Sequence, residues 1–306
     1  MDKFKGSMFL FIAFVLAGTS VVSARFVSGI LGNFTITAIS LLFAVAGLLP
    51  FCIKRFLNDI KQLGKGDWAI IVLQAFFGIF LFRMFLLWGL LHTGSGEAGI
   101  LTGVTPAVTV ILARVVLKET LCKENVFGII STVAGIMILQ GILLPGGSFS
   151  LEHLYGNILV VCGGISESIF NIIARAYSLK RVSINDKNLH PITQATLISI
   201  IAFLFCLVPS LMEKEMISIS KLCFYQWLSL VWYGLVVTGV GFIFWYGGVN
   251  RSSATKVAAY SGLMPFTALI LSFTILKESV GLEQWCGGIL IALGIIIIGR
   301  KQGDSI

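Results

Sequence analysis

Acidic side chains are the scarcest chemistry in this chain: Asp and Glu together number 14 in 306 residues. Every aspartate (Asp2, Asp59, Asp67, Asp186, Asp304) falls in a loop or tail, so no aspartyl dyad can form inside an apolar stretch. HExxH, GxSxG and a phosphate-cradling glycine loop are missing as well, which argues against an enzyme and against an ATP-driven pump within this chain. Cysteine is sparse and scattered. Cys52, Cys122, Cys162, Cys206, Cys223 and Cys286 form no CxxC pair and read as small apolar fillers, reduced and unligated. His92, His153 and His190 lie far apart, so neither a metal site nor any other cofactor is expected.

Charge of either sign is scarce too. With 12% charged residues and a mean hydropathy of +0.97, the chain has too little polar surface to cover a water-soluble globule, and its solvent is lipid. Apolar runs long enough to span predict ten helices, near 6–24, 34–53, 68–91, 96–117, 125–144, 155–177, 190–211, 223–246, 254–276 and 282–299. A bilayer core has no water to satisfy backbone groups, so the spanning unit is an all-α bundle, and the alternating strands of a barrel are absent. The connections at 145–154 and 178–189 are too short for a soluble domain. Lys3 and Lys5 ahead of an apolar run and Val22-Ser23-Ala24 resemble a cleaved leader. Removing that segment would leave nine helices and break the correspondence described next, so it is read as a retained helix.

What the chain does have is a repeat. The run from Glu97 through Thr102, Gly103 and Pro106 to Lys118-Glu119 returns as Lys256 through Ser261, Gly262 and Pro265 to Lys277-Glu278, and Glu124, Gly128 and Gly135 find Glu283, Gly287 and Gly294 at the same offset. Two copies of one membrane unit are the signature of a transporter. The division is a first five-helix unit at 1–144, an outer linker at 145–154 and a second unit at 155–306.

The net charge of +8 invites a nucleic-acid reading, but the positions of the basic residues explain it by sidedness, and no nucleic-acid partner is expected. One side collects Lys3, Lys5, Lys54, Arg55, Lys61, Lys65, Lys118, Lys123, Lys180, Arg181, Lys187, Arg251, Arg300 and Lys301, the other only Arg25, Lys214, Lys221 and Lys277. Both termini are expected in the cytoplasm. Five helices per copy is an odd number, so the second copy enters from the opposite side and the fold is a polytopic bundle of ten transmembrane helices in two inverted five-helix repeats. Exchange of two slightly different conformations between such halves gives alternating access.

Polar residues at membrane depth mark the candidate site. Pro106 and Pro265 sit twelve residues before their Lys-Glu ends, about 18 Å along a helix and so near the midplane. As helix-kinking prolines they would free the carbonyls of Thr102 and Ser261 for a substrate ammonium, or neighbouring groups would satisfy those carbonyls. Thr102, Thr105 and Thr109 share a face with Ala98, equally consistent with a packing seam. Glu167, Asn171 and Arg175 form a stripe on the sixth helix, with Ser166 adjacent. Glu167 has three functional roles open to it: pairing with Arg83, accepting a substrate ammonium, or carrying a coupling proton. A purely structural ion pair with Arg83 or Arg175 is the alternative. Arg83 has no acid beside it in its own helix and needs a partner from elsewhere. Glu97 and Lys256 are equivalent positions of opposite sign. Lys256 with Tyr260 and Thr267 would suit a substrate carboxylate at the inner mouth, or the lysine snorkels to the interface. Trp68, Trp88, Trp227, Trp245 and Tyr246 read as interfacial belts, while Trp232 and Tyr233 lie deep enough to line a pore. Gly128, Gly135, Gly287 and Gly294 read as close helix contacts.

Two inverted halves, each with a mid-helix Pro on its fourth helix running on to Lys-Glu (Pro106 to Glu119, Pro265 to Glu278), resemble the EamA family of the drug/metabolite transporter superfamily, and the likeness covers nearly the whole chain. The Trp common in that family's first helix is missing at Ala17-Gly18, and the early Arg of its second helix is absent, with Ser40 in the neighbourhood. The resemblance implies a secondary transporter in the plasma membrane, the inner membrane of a bacterium, exporting small polar metabolites, amino acids first among them. Its partners would be that small molecule, membrane lipid and a coupling proton. A broader drug or metabolite exporter, an uncoupled facilitator and a non-transporting membrane subunit remain alternatives. The last predicts internally paired charges and no continuous cavity.

Overall fold

A computed structural model describes residues 2–120, 122–139, 151–183, 189–213, 219, 222–278 and 281–300. Residues 140–144 at the end of the fifth expected helix, most of the 145–154 linker, and Lys187, Lys214, Lys221 and Lys301 lie outside them. Among the described residues there are ten helices: α1 (Asp2–Arg25), α2 (Asn33–Lys61), α3 (Lys65–Gly89), α4 (Ser95–Val116), α5 (Lys123–Leu139), α6 (Leu151–Ser183), α7 (Pro191–Met212), α8 (Phe224–Val249), α9 (Ala254–Thr274) and α10 (Leu282–Arg300). Eight are long and apolar enough to cross a bilayer, and α5 and α10 carry shorter apolar segments, Val126–Gly135 and Trp285–Gly294. The all-α, polytopic architecture expected from hydropathy is therefore the one found. Two helices outrun their apolar cores, α2 continuing through Pro50 to Lys61 and α6 to Ser183.

Three pairs of equivalent helices, α2/α7, α4/α9 and α5/α10, lie side by side and antiparallel, which makes the repeat an inverted one. At one end of the α4/α9 pair, Glu119 accepts from the amides of Ala254 (3.2 Å) and Thr255 (3.4 Å) and from Thr255 Oγ1 (2.6 Å). At the other end, Glu278 accepts from the amides of Ser95 (3.3 Å) and Gly96 (2.9 Å) and from the Ser95 hydroxyl. The glutamate that follows the fourth helix of each half thus caps the N-terminus of the matching helix in the other half. Unpaired amides and the positive end of the helix dipole both favour a carboxylate there. The same turn delivers both: Lys118 (φ 57°) and Lys277 (φ 53°) are left-handed, and the amides of Glu119 and Glu278 reach back to Ala113 O and Ser272 O. The α2/α7 pair repeats the device, with Glu213 on the amides of Phe34 and Thr35 at one end and Asp59 accepting from Thr193 Oγ1 (2.7 Å) at the other. Helices α5 and α10 cross on their glycines. A Cβ on Gly135 would lie 2.7 Å from Gly287 O and one on Gly294 2.6 Å from Gly128 O, and Ser131 Oγ donates to Leu290 O (2.7 Å).

Irregular backbone recurs in both halves as well. Helices α4 and α9 are interrupted at Thr102-Gly103 and at Gly262, where the proline four residues after Thr102 or Ser261 removes a donor. Helices α3 and α8 each contain a π-helical stretch, Phe76–Leu81 and Trp232–Val240. Inside the second stretch Gly234 lets α8 lie directly on α2, because a Cβ there would overlap the Ser40 carbonyl. Gly234→Ala should therefore destabilise the fold by about 1–3 kcal/mol, the usual range for forced overpacking. Thermal unfolding in detergent reads this, and an unshifted midpoint would contradict the close α2–α8 approach.

Candidate functional site

That approach of α2 and α8 also builds the surroundings of Arg83. The arginine lies six residues before the end of α3 at Gly89, about 9 Å at 1.5 Å per residue, and is only 3% exposed. Its Nη1 donates to Ser40 Oγ (2.6 Å), and its Nη2 to Tyr233 O (3.3 Å) and to Thr238 Oγ1. The Tyr233 ring lies beneath the guanidinium, 3.8 Å from its carbon to the ring centroid. The π turn is what makes Tyr233 O available: it accepts from Thr238 Oγ1 (2.9 Å) five residues on as well as from Arg83. All of these partners are neutral. Among the described residues no carboxylate comes within 4.0 Å of Arg83, so the pairing of Glu167 with Arg83 or Arg175, one of the readings left open by the sequence, is not formed. Arg175 instead donates to Val249 O (3.3 Å).

Glu167 projects from the middle of α6 and accepts one described hydrogen bond, from Thr105 Oγ1 of α4 (3.2 Å). It and Arg83 line the same cavity, which holds about 590 Å³ of unfilled space, part of it open to solvent. Helices α1 and α3 of the first half and α6, α8 and α9 of the second supply the walls, so the cavity lies between the repeats. Its lining is aromatic: Phe14, Phe82, Phe170, Phe242 and Trp245, with Phe170 and Trp245 stacked at 4.5 Å. Arg83 and Glu167 thus face one largely apolar chamber without contact between them.

The other expected site residues fall elsewhere. Asn171 continues the α6 stripe away from the cavity lining, its Nδ2 donating to Thr109 Oγ1 (3.5 Å), and the Thr105–Thr109 face of α4 is a polar seam against α6 completed by Ser168 Oγ on Thr105 O (3.0 Å). The Thr102 carbonyl is not freed by Pro106, because the Thr105 amide takes it at 3.1 Å. The hydroxyls of Thr102 and Ser261 fold back on Gly99 O and Ala258 O. Glu97 is occupied at the Glu278 end of the bundle by Thr93, Asn157 and His153. Lys256 and Tyr260, on the first turns of α9, are partly buried and outside the lining. Trp232 faces outward, 40% exposed, with Nε1 on Thr19 Oγ1, so of the Trp232-Tyr233 pair only the tyrosine reaches the cavity. Trp245 and Tyr246 correct the belt reading. They are 5% and 1% exposed; Trp245 walls the cavity, and Tyr246 Oη donates to buried Gln74 Oε1 (2.7 Å). Distance from a helix end suggested an interface, yet α8 runs on to Val249. Hydropathy does not separate an aromatic facing a cavity from one facing lipid.

Inverted repeats around a charged central cavity define a membrane transporter rather than an enzyme. The chain matches the EamA-like transporter family over residues 4–141 and 154–300 and belongs to it. It is 30% identical over 298 residues to the uncharacterized transporter YetK of Bacillus subtilis, covering 96% of this chain and 87% of that one. A probable terminal-alkyne amino-acid exporter of Streptantibioticus cattleyicolor is 23% identical over 77% of this chain and 74% of its own. A protein crystal structure 17% identical in sequence shares the fold with a TM-score of 0.70 over 95% of each chain.

Proposed function

We propose that this protein is a secondary transporter exporting small polar metabolites, amino acids first among them, by alternating access of the two halves. The observation that carries the reading is that Arg83 and Glu167, from different halves, line one cavity without contact between them. Arg83 receives the carboxylate, Glu167 the ammonium, and the aromatic walls an apolar side chain. A non-transporting subunit has no use for such a chamber between its halves, and the likeness to an amino-acid exporter points the same way. The Lys- and Arg-rich end faces the cytoplasm by the positive-inside rule, with both termini inside the plasma membrane.

One carboxylate that accepts either a proton or an ammonium exchanges one for the other across the bilayer, which is antiport. Glu167 is the group placed to do this. Everted membrane vesicles acidified inside should accumulate leucine, and Glu167→Gln should remove the dependence on the proton gradient. Gradient-driven uptake surviving in Glu167→Gln would remove Glu167 as the proton carrier and favour another coupling route. Accumulation confined to right-side-out vesicles would reverse the direction assigned.

A further inference from the structure

Two residues of the cavity lining carry buried hydroxyls that have no partner among the described residues. Ser20 of α1 is 2% exposed and Tyr233 of α8 is 1% exposed. Both line the cavity, yet neither Ser20 Oγ nor Tyr233 Oη makes a hydrogen bond to any described residue. Neighbouring hydroxyls behave differently: Thr19 and Ser23 fold back on Leu16 O (2.7 Å) and Thr19 O (3.0 Å), and Thr238 does so on Tyr233 O. Folding back is thus available to hydroxyls on α1, and Ser20 does not use it. A buried hydroxyl left unsatisfied is unfavourable, and on a cavity wall it is a group held ready for a ligand. Tyr233 is also the residue whose ring carries the Arg83 guanidinium. All three side chains can donate, and none adds negative charge.

We propose that Ser20 and Tyr233 complete, with Arg83, a subsite that recognises the cargo by its carboxylate, and that the two hydroxyls determine specificity for that group. The inference rests on the cavity being the cargo site. A carboxylate offers two oxygens with about four lone-pair positions, enough for all three donors. A carboxamide keeps the ammonium and the side chain of an amino acid but turns N–H donors toward a set of donors, and is rejected.

Leucine flux into proteoliposomes, with leucinamide as competitor, tests the subsite. The unmodified protein should transport leucine with leucinamide a weak inhibitor. Tyr233→Phe keeps the ring under Arg83, and Ser20→Ala suits a helix. Each should raise the leucine KM about tenfold or more, the usual effect of losing one hydrogen bond to a charged group. Vmax and the leucinamide Ki should hardly move, so the preference for the acid narrows. A merely structural role would change both ligands together or lower Vmax. Unchanged leucine KM in both variants, or equal shifts for leucine and leucinamide, would overturn the inference while leaving the cavity reading intact. Absence of saturable leucine flux in the unmodified protein would instead remove the amino-acid reading, and this subsite with it.

Discussion

Arg83→Met is expected to abolish saturable leucine transport while the protein still folds. The guanidinium is buried and, among the described residues, is held by Ser40, Thr238, a backbone carbonyl and the Tyr233 ring. Its charge is therefore not neutralised by a described carboxylate, and in the proposed function it is offered to the cargo. Truncating one member of a buried charge pair costs about 2–5 kcal/mol in binding, and at about 1.4 kcal/mol per decade the lower bound already exceeds tenfold in affinity. Over most of that range the loss at fixed substrate is about a hundredfold or more. Stability should respond little, because an apolar side chain of similar volume removes a desolvated cation as well as its hydrogen bonds. Arg83→Lys should be intermediate, since a single ammonium cannot span Ser40 on α2 and Thr238 on α8 together. Flux normalised to folded protein, measured by size-exclusion recovery, checks this. Near-normal flux in Arg83→Met would leave the cavity without its anion-binding group.

Glu278→Ala and Glu119→Ala form the second large expectation, and their target is stability. Each carboxylate serves two helix-terminal amides and a hydroxyl. Helix α4 begins at Gly94, which has no side chain to cap it. Removing either acid should cost about 2 kcal/mol, in the upper range for a helix cap, and the glutamine variants should recover part of that as neutral acceptors. The two sites lie at opposite ends of α4, roughly 33 Å apart at 1.5 Å per residue over Ser95–Val116, so the double variant should show the sum of the single losses. Thermal unfolding midpoints in one detergent give the comparison. Alanine variants as stable as the parent would mean that the acids contribute nothing as caps.

Those glutamates show how far the one-dimensional pattern reaches. The Lys-Glu pair that follows the fourth helix of each repeat is plain in the sequence, and so is the inversion, since five helices per copy and the sorting of Lys and Arg require it. What the pair does is not local. Glu119 finds its amides on α9 and Glu278 on α4, and a partner more than a hundred residues away leaves no trace in spacing. The glycine crossing of α5 and α10 was legible for the opposite reason: close backbone contact demands glycine at equivalent positions of both copies, and the repeat displays them.

Arg83 and Glu167 could be singled out because a charge within an apolar run is unfavourable anywhere in lipid, whatever surrounds it. Their relation could not. An acid and a base at membrane depth suggest an ion pair, and only the packing of α2 onto α8 at Gly234 surrounds Arg83 with neutral acceptors and leaves both charges facing the chamber. Trp245, Phe170 and Ser20 were invisible as cavity-lining residues, since apolar and small side chains look alike whether they meet lipid, a neighbouring helix or a cavity. Hydropathy, charge sidedness and duplication, each a sum over many residues, by themselves determined a ten-helix inverted-repeat membrane protein. Which few side chains share one space depends on how helices rotate and cross, and that is decided by contacts between segments far apart in the chain, so only the tertiary structure located the site.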